Sequence, residues 1–539
     1  MSLSSFLLGI RRKPLTHHFF QKTLTSGIFS ILLLTGWSGI AESAHYHDDV
    51  EAYAPWKQGR EIGELQMAVT TTSEAARQHF LTGMKLLHTY EFSEATWSFR
   101  EAQSIDPGFA MAYWGEIIAS QIFIWYARDQ DQGRIALKRL DQHTNFEQLT
   151  ELEKGYIDAT RALLAGDGVH RPPYEKGSDE WIFRNKMATL YQRFPDNPDL
   201  KVFYGYSILG TRRGTFDFDT NQQAITLFQQ VLQTQPNHPG ALHYLLHATE
   251  NPVQSYMGEQ AAKIIARVTS GSIHTLHMPS HYYMTKGDWQ QVIDVNCYAW
   301  QASLRRADEL GLNEDSLEYH GFGWIIYALL QQGKTEEALK EINILYSLYD
   351  RKPTASKQKY LLFASAGFLI DSPTDSTGRK VVRNTSISHD GKISSALAAN
   401  LFANAYDGWQ IDDADRVQKA LTDYRKLMTQ DITTQSPPDR DAILIMHKLT
   451  EGISQLNEEN YRSAEAWFKQ ASTMEDNMVH EHGIPLVVKP ANELYGDFLL
   501  ARHRAGEAQF YYQRALTLQP NRKASLEGME SAWKAINNE

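Results

Sequence analysis

Cysteine is almost absent from this sequence. Cys297 is the only one in 539 residues. That excludes an intramolecular disulfide, and it excludes thiolate zinc and iron–sulfur sites. Any metal held here needs nitrogen and oxygen ligands, and Cys297 itself is expected inside a helical core. Basic charge is also scarce. The formal net charge is −11, and there is no basic stripe of the kind a nucleic-acid binder needs, so nucleic acid is not expected as a partner. Glycine and proline are not enriched, and 42% hydrophobic content fits an ordered soluble protein. Phosphate loop, nucleophile elbow and His-Glu-x-x-His signature are all missing. No stretch reads as a convincing strand. The one long apolar run, Gly27 to Gly36, is short for a bilayer span.

That run has a context. Arg11, Arg12, Lys13 and Lys22 precede or flank it, and the small residues Gly39, Ala41 and Ala44 follow it. Charge, then apolar run, then small residues is the order of an export signal. Residues 1–44 are therefore expected to be a signal peptide cut after Ala41 or Ala44. The mature chain would be periplasmic or secreted, with no membrane span after signal removal. Residues 45–72 read as an N-terminal extension. If the cut follows Ala44, His45-Tyr46-His47 begins the mature chain and can chelate copper through the terminal amine.

The rest of the chain repeats itself. Lys489 to Arg522 carries Gly496, Ala508, Tyr512, Ala515 and Pro520, and Ala76 to Phe109 carries Gly83, Ala95, Phe99, Ala102 and Pro107 at the same intervals. Fainter copies start at residues 445, 205, 273 and 319. This spacing resembles the tetratricopeptide repeat, in which small residues let two antiparallel helices approach and proline ends the second. The remaining segments, such as Glu147 to Leu164 and Ile393 to Met428, show apolar residues at three- and four-residue intervals, as amphipathic helices do. The expected fold is all-α: a right-handed α-solenoid of helix-turn-helix repeats. It divides into one block over 73–370 and a second over 393–539, with Ala524 to Ile536 as a capping helix. Between the blocks, 371–392 is rich in Ser, Thr, Asp and Gly and reads as a polar loop.

Three further stretches extend the resemblance to the whole mature chain: Asp106-Pro107-Gly108-Phe109-Ala110-Met111-Ala112-Tyr113-Trp114-Gly115, His277-Met278-Pro279-Ser280-His281-Tyr282 and Lys489-Pro490-Ala491-Asn492-Glu493-Leu494-Tyr495-Gly496. On these the chain resembles a group of exported bacterial tetratricopeptide-repeat proteins. The resemblance implies the solenoid and the export, and it carries no activity.

Histidines fall at special places in the repeat frame. Positions 2, 5, 9 and 12 of the first helix share one stripe, since residues three and four apart lie on one face. In tetratricopeptide proteins that stripe lines the concave groove. A repeat starting at Pro239 puts His243, His247 and Glu250 there. One starting at Ile273 puts His274, His277 and His281 there, and one starting at Tyr319 adds His320. First helices stack about 10 Å apart, so His243 is expected near His277 and His247 near His281. Paired histidines on adjacent helices are how helical scaffolds present imidazoles to one ion. The set suits a transition metal, with copper or zinc favoured and iron possible. Tyr244, Tyr282 and Tyr319 lie beside these histidines and are candidate outer donors.

Three functions stay open: a metal-holding scaffold, a metal-dependent oxidoreductase or hydrolase, and a plain groove that binds a protein, a peptide or a small molecule without metal. Weaker candidates also have two readings each. His480-Glu481-His482 is either a solvated loop or a visitor to the groove. Arg212-Arg213 is a solvated loop pair or an anion site, Glu493 a surface carboxylate or a groove residue, and Trp114 a ligand platform or core.

Overall fold

A computed structural model describes residues 61–124, 127–166, 171–373, 375–385, 387–481 and 483–537. The expected signal peptide, most of the extension with His45-Tyr46-His47, and His482 lie outside the described residues.

A helix with one apolar stripe must bury it against a neighbour, and in a repeat array the neighbour is the next helix. The chain accordingly folds as antiparallel pairs: Glu74–His88 with Phe92–Ile105, Ala110–Ala119 with Gln130–His143, Glu151–Ala165 with Asp179–Arg193, and Pro198–Leu209 with Phe218–Thr234. Next come Pro239–Ala248 with Glu259–Val268, then Ile273–His277 and Pro279–Lys286 with Trp289–Leu310, then Tyr319–Gln331 with Thr335–Arg351. Ala355–Asp371 with Ser376–Asn384, Ser395–Gln410 with Ala414–Leu427, Pro437–Asn457 with Tyr461–Glu475, and Ala491–Ala501 with Ala505–Leu518 complete the array, and Lys523–Asn537 caps it. The expected all-α solenoid is what forms. Among the described residues the single extended pairing is a two-residue antiparallel ladder, Gln121–Ile122 with Ala127–Arg128, which closes a loop and builds no layer.

The repeat glycines show why the pairs pack so tightly. A Cβ on Gly83 would sit 2.7 Å from the Phe99 ring, and one on Gly452 would sit 2.4 Å from Phe468. The second helix presses an aromatic ring onto bare backbone of the first. Gly205 does the same for Phe228, at 2.5 Å, but across a longer turn. The repeat read as starting at residue 205 therefore begins with the helix Pro198–Leu209.

Two expectations about the blocks need correction. The stretch 371–392 is not all loop. Asp375 caps a helix over Ser376–Asn384 by accepting from the Gly378 N–H at 2.8 Å. That helix is held by charge rather than by an apolar stripe: Arg379 and Arg383 both grip the buried Asp407, at 2.6 and 2.5 Å. Its polarity hid it from a reading based on hydrophobic periodicity. The array is also continuous there, because Ala355–Asp371 packs directly on Ser395–Gln410.

The groove is not left open either. The segment between Glu475 and Ala491 crosses it. Thr215 donates its backbone N–H to the His480 carbonyl at 2.9 Å, Gly483 lies against Trp324, and Ile484 packs with Met284, Trp324 and Tyr327. The fully buried Arg522 pairs with Asp371 at 2.6 Å and with Glu493 at 2.8 Å. Glu493, whose default reading was a surface carboxylate, is thus part of the core. Trp114 is core as well, with its indole N–H given to Thr160 at 3.0 Å.

Candidate metal centre

Three short helices carry the histidines. His238 caps the first through its ring nitrogen, Pro239 opens it, and every residue to Ala248 is buried. A helix buried all round has to satisfy its polar side chains internally, so His243 and His247 face one another's surroundings rather than solvent. The helix ends before Glu250. Thr249 turns its hydroxyl back to the Leu245 carbonyl at 2.9 Å, and Glu250 follows outside the helix with its carboxylate folded back onto His247. The expected helical position for Glu250 is wrong, yet the side chain still reaches the site. The second carrier is Ile273–His277 followed by Pro279–Lys286, joined through Met278 in helical conformation. Pro279 lacks an N–H and divides the helix without redirecting it, so His277 and His281 keep one face. His320 comes from the first turn of Tyr319–Gln331.

The seven candidate ligands form two trios and a link. His243, His247 and His274 place one nitrogen each within 4.8 Å of the others, and so do His277, His281 and His320. His247, Glu250 and His281 form a third such group between them. His247 and His281 are neighbours as expected, with ring centroids 5.4 Å apart. The expected His243–His277 pair does not form. His243 instead meets His274, Nε2 to Nε2 at 3.0 Å, because adjacent first helices are staggered and position 5 of one faces position 2 of the next.

The inner contacts are short and consistent. His243 Nε2 also lies 3.0 Å from His247 Nε2, and His277 Nε2 lies 3.0 Å from His281 Nε2. The opposite edges of four rings are anchored. His243 Nδ1 is 2.7 Å from the His88 carbonyl, and His277 Nδ1 is 2.5 Å from Asn296 Oδ1. One oxygen of Glu250 lies 2.5 Å from His247 Nδ1 and 2.6 Å from His281 Nδ1. Arg212, also buried, donates to the His247 carbonyl at 2.6 Å and sits 3.5 Å from the other Glu250 oxygen. It is a pillar of the site, not a solvated loop residue.

Burial pushes the imidazoles of His243, His247, His274 and His277 below their ordinary value, and it takes His320 down to about 3. Burial works against Glu250 too, but the imidazoles of His247 and His281 outweigh it and hold the carboxyl well below its ordinary range. Burial thus favours the neutral form of these five imidazoles, beside one ionised carboxylate.

Two aromatic walls escaped the sequence reading. Tyr90 stacks on His274 and His247, with centroids 5.0 and 5.9 Å away, and meets His243 edge-on at 4.5 Å. Its φ is +62°, a conformation that costs a bulky residue about 1–2 kcal/mol. Gly287 and Gly333 take the same conformation after the first helices of their own repeats. A tyrosine where the turn prefers glycine was the available signal. Trp324, four residues beyond His320, touches the second trio, 4.7 Å from His277 and 4.8 Å from His281.

The predicted tyrosine donors point elsewhere. Tyr244 shares a hydrogen bond with His88 at 3.2 Å and stacks on Tyr206. Tyr319 donates to the Glu314 carbonyl at 2.8 Å, and Tyr282 lies under Lys286. Each is one residue away from a groove histidine, which on a helix is a turn of about 100° away from it.

Beside His320 lies a cavity of about 150 Å³ walled by Trp324, Tyr327, Tyr360, Phe363 and Ile484. Glu481 also lines it, and shares a smaller cavity with Glu250 and His480. Burial raises the Glu481 carboxyl to about 7 and lowers the His480 imidazole to about 4. Of the two readings of His480-Glu481-His482, the visit to the groove holds for Glu481.

No family model and no curated protein matches the chain. Among solved structures it is similar to yeast Tom70 (10% identity, 87% of this chain and 90% of that one, TM-score 0.37). It is also similar to the APC/C hetero-tetramer Cut9-Hcn1 (10%, 86% and 78%, 0.35) and to the human IFIT1 dimer with m7Gppp-AAAA (12%, 87% and 91%, 0.35). At such identities and scores these likenesses carry no argument about function.

Proposed function

We propose that the protein is an exported helical-repeat scaffold that holds transition metal on its histidine cluster. One observation carries the reading. A carbonyl and a carboxylate can only accept, so His243 Nδ1 and His247 Nδ1 must carry the ring protons. Asn296 gives its amide N–H to the Val292 carbonyl at 2.8 Å, which turns its oxygen to His277 Nδ1. Glu250 likewise faces His281 Nδ1 at 2.6 Å, so the Nε2 atoms facing each other 3.0 Å apart in both trios have lone pairs and no hydrogen between them. A cation resolves that repulsion. Burial disfavours a proton there, whereas a metal with bonds of about 2.0–2.1 Å places tetrahedral ligands about 3.3 Å apart. Anchoring of Nδ1 by carbonyl, carboxylate or amide is also how metal-binding histidines are oriented. All-nitrogen ligation favours copper or zinc, with iron admitted.

A metal-dependent enzyme, oxidoreductase or hydrolase, is the second reading. The cavity at His320 favours it, because the space left in the groove suits a small molecule better than a laid-in peptide. Export is supported by the charge, apolar and small-residue order of residues 1–44. Intact mass of the native protein should lack them.

Titration of chelator-stripped protein with zinc and copper tests the metal. Binding tighter than about 10 μM, or about −7 kcal/mol, is expected at neutral pH. It should be lost in His243→Ala/His277→Ala. If neither ion reaches that affinity, the metal is abandoned and the scaffold alone remains.

A further inference from the structure

We infer that the centre is dinuclear: one ion sits in each histidine trio and Glu250 is the strut between them. This rests on the metal reading above and adds the number of ions and their order of exchange.

Six imidazoles exceed what one ion takes, since zinc and its neighbours in such sites accept about four protein ligands. The six are also sorted. The 3.0 Å Nε2 contacts join His243 to His247 and His274, and His277 to His281, each within one trio. Between the trios stands Glu250, on the Nδ1 edges of His247 and His281 at 2.5 and 2.6 Å. Nδ1 and Nε2 lie on different edges of the ring. A carboxylate holding the first therefore aims the second away from itself, His247 into one trio and His281 into the other. A single ion at the shared point would take the two Nδ1 atoms and Glu250. It would leave every Nε2 contact unresolved and four histidines without a partner cation. Two ions, one at the Nε2 contacts of each trio, resolve all of them at once.

Three protein nitrogens per ion leave one coordination position on each, the arrangement of sites that bind a small exchangeable ligand. Each trio has one partly exposed member, His274 and His320, but the surroundings of the two positions differ. The first trio lies under the Tyr90 ring and is backed by the His88 carbonyl. The second includes His320, which lines the 150 Å³ aromatic cavity. Its ion is the one that solvent, a chelator or a small ligand reaches.

The test is a metal count on the full-length protein, stripped, reloaded with zinc, dialysed and measured by elemental analysis. Two ions per chain are expected. His243→Ala/His274→Ala and His277→Ala/His320→Ala should each hold one, and the four-fold variant none. Removal by EDTA should be biphasic in the wild type, and the fast phase should be missing in His277→Ala/His320→Ala. One ion per chain in the wild type overturns the dinuclear site and leaves the proposed function standing; no ion removes both. A half-site variant that holds none while keeping wild-type circular dichroism and melting shows that the trios are not independent, which also overturns it. Should a variant fail to fold, the wild-type count and its EDTA kinetics decide.

Discussion

His243, His274, His277 and His320 are held neutral in the folded protein mainly by burial, and like neighbours add to the effect. Glu250 faces His243 and His320, and Lys359 also faces His320. A group whose folded pKa lies below its unfolded value contributes stability that is complete above the unfolded value and lost as pH falls. For these imidazoles the loss begins near pH ~6.5 and continues toward the folded values, about 3 for His320. Protonation of the empty site should thus compete with metal well below the usual histidine range, not at it. Desolvation raises Glu318, Glu475 and Glu481 to about 7, and they act in the opposite sense. The histidine contribution is therefore read as a difference. Chelator-stripped wild type should lose melting temperature relative to His243→Asn/His277→Asn as pH falls from about 7 to about 4.5. A constant difference across that range would show that the imidazoles are not held neutral.

Among the elements, Ser376–Asn384 is the least legible and the most instructive. Beside the buried Val382, its main support is ionic: Arg379 and Arg383 on a buried Asp407, with Arg416 3.3 Å from the same carboxylate. Removing one partner of a buried ion pair leaves the other charge uncompensated, at a cost of about 3–5 kcal/mol. Asp407→Ala should therefore lower the unfolding free energy by that order, read as a fall in the urea midpoint, and expose 376–384 to limited proteolysis. If the proteolytic pattern stays that of the wild type, the helix is held by something other than Asp407. The histidine helices are the opposite case. Pro239–Ala248 was readable from its proline start and periodic histidines, with Glu250 beyond its end, and the helix expected from Ile273 is divided at Met278.

Across the molecule, the C-terminal repeats are tied to the middle ones. Arg522 binds Asp371 and Glu493, Asn521 donates to the Lys286 carbonyl at 2.6 Å, and the Glu475–Ala491 segment spans the histidine face. Repeat arrays usually couple only neighbours; these contacts join residues far apart along the array. Arg522→Ala should cost about 3–5 kcal/mol by leaving Asp371 and Glu493 buried and unpaired. It should also split thermal unfolding into separable steps, with the C-terminal repeats melting first. A single transition shifted as a whole would show that the closure does not govern cooperativity.

Periodicity is local information, so helix pairs, the small residues at which they approach and the two stripes, His243 with His247 and His277 with His281, were legible from the residues. Spacing of three and four is a property of one helix and survives any packing. The stagger between adjacent helices is not written in one helix's period, so the partner of His243 came out as His274. The burial of Arg212, the turn of Glu250 past its helix, and Tyr90 in a glycine conformation depend on contacts between distant stretches. So does Glu481, delivered from a segment far along the chain. Such contacts are settled by which charges and rings must be satisfied once the array closes, and no interval along the sequence encodes them.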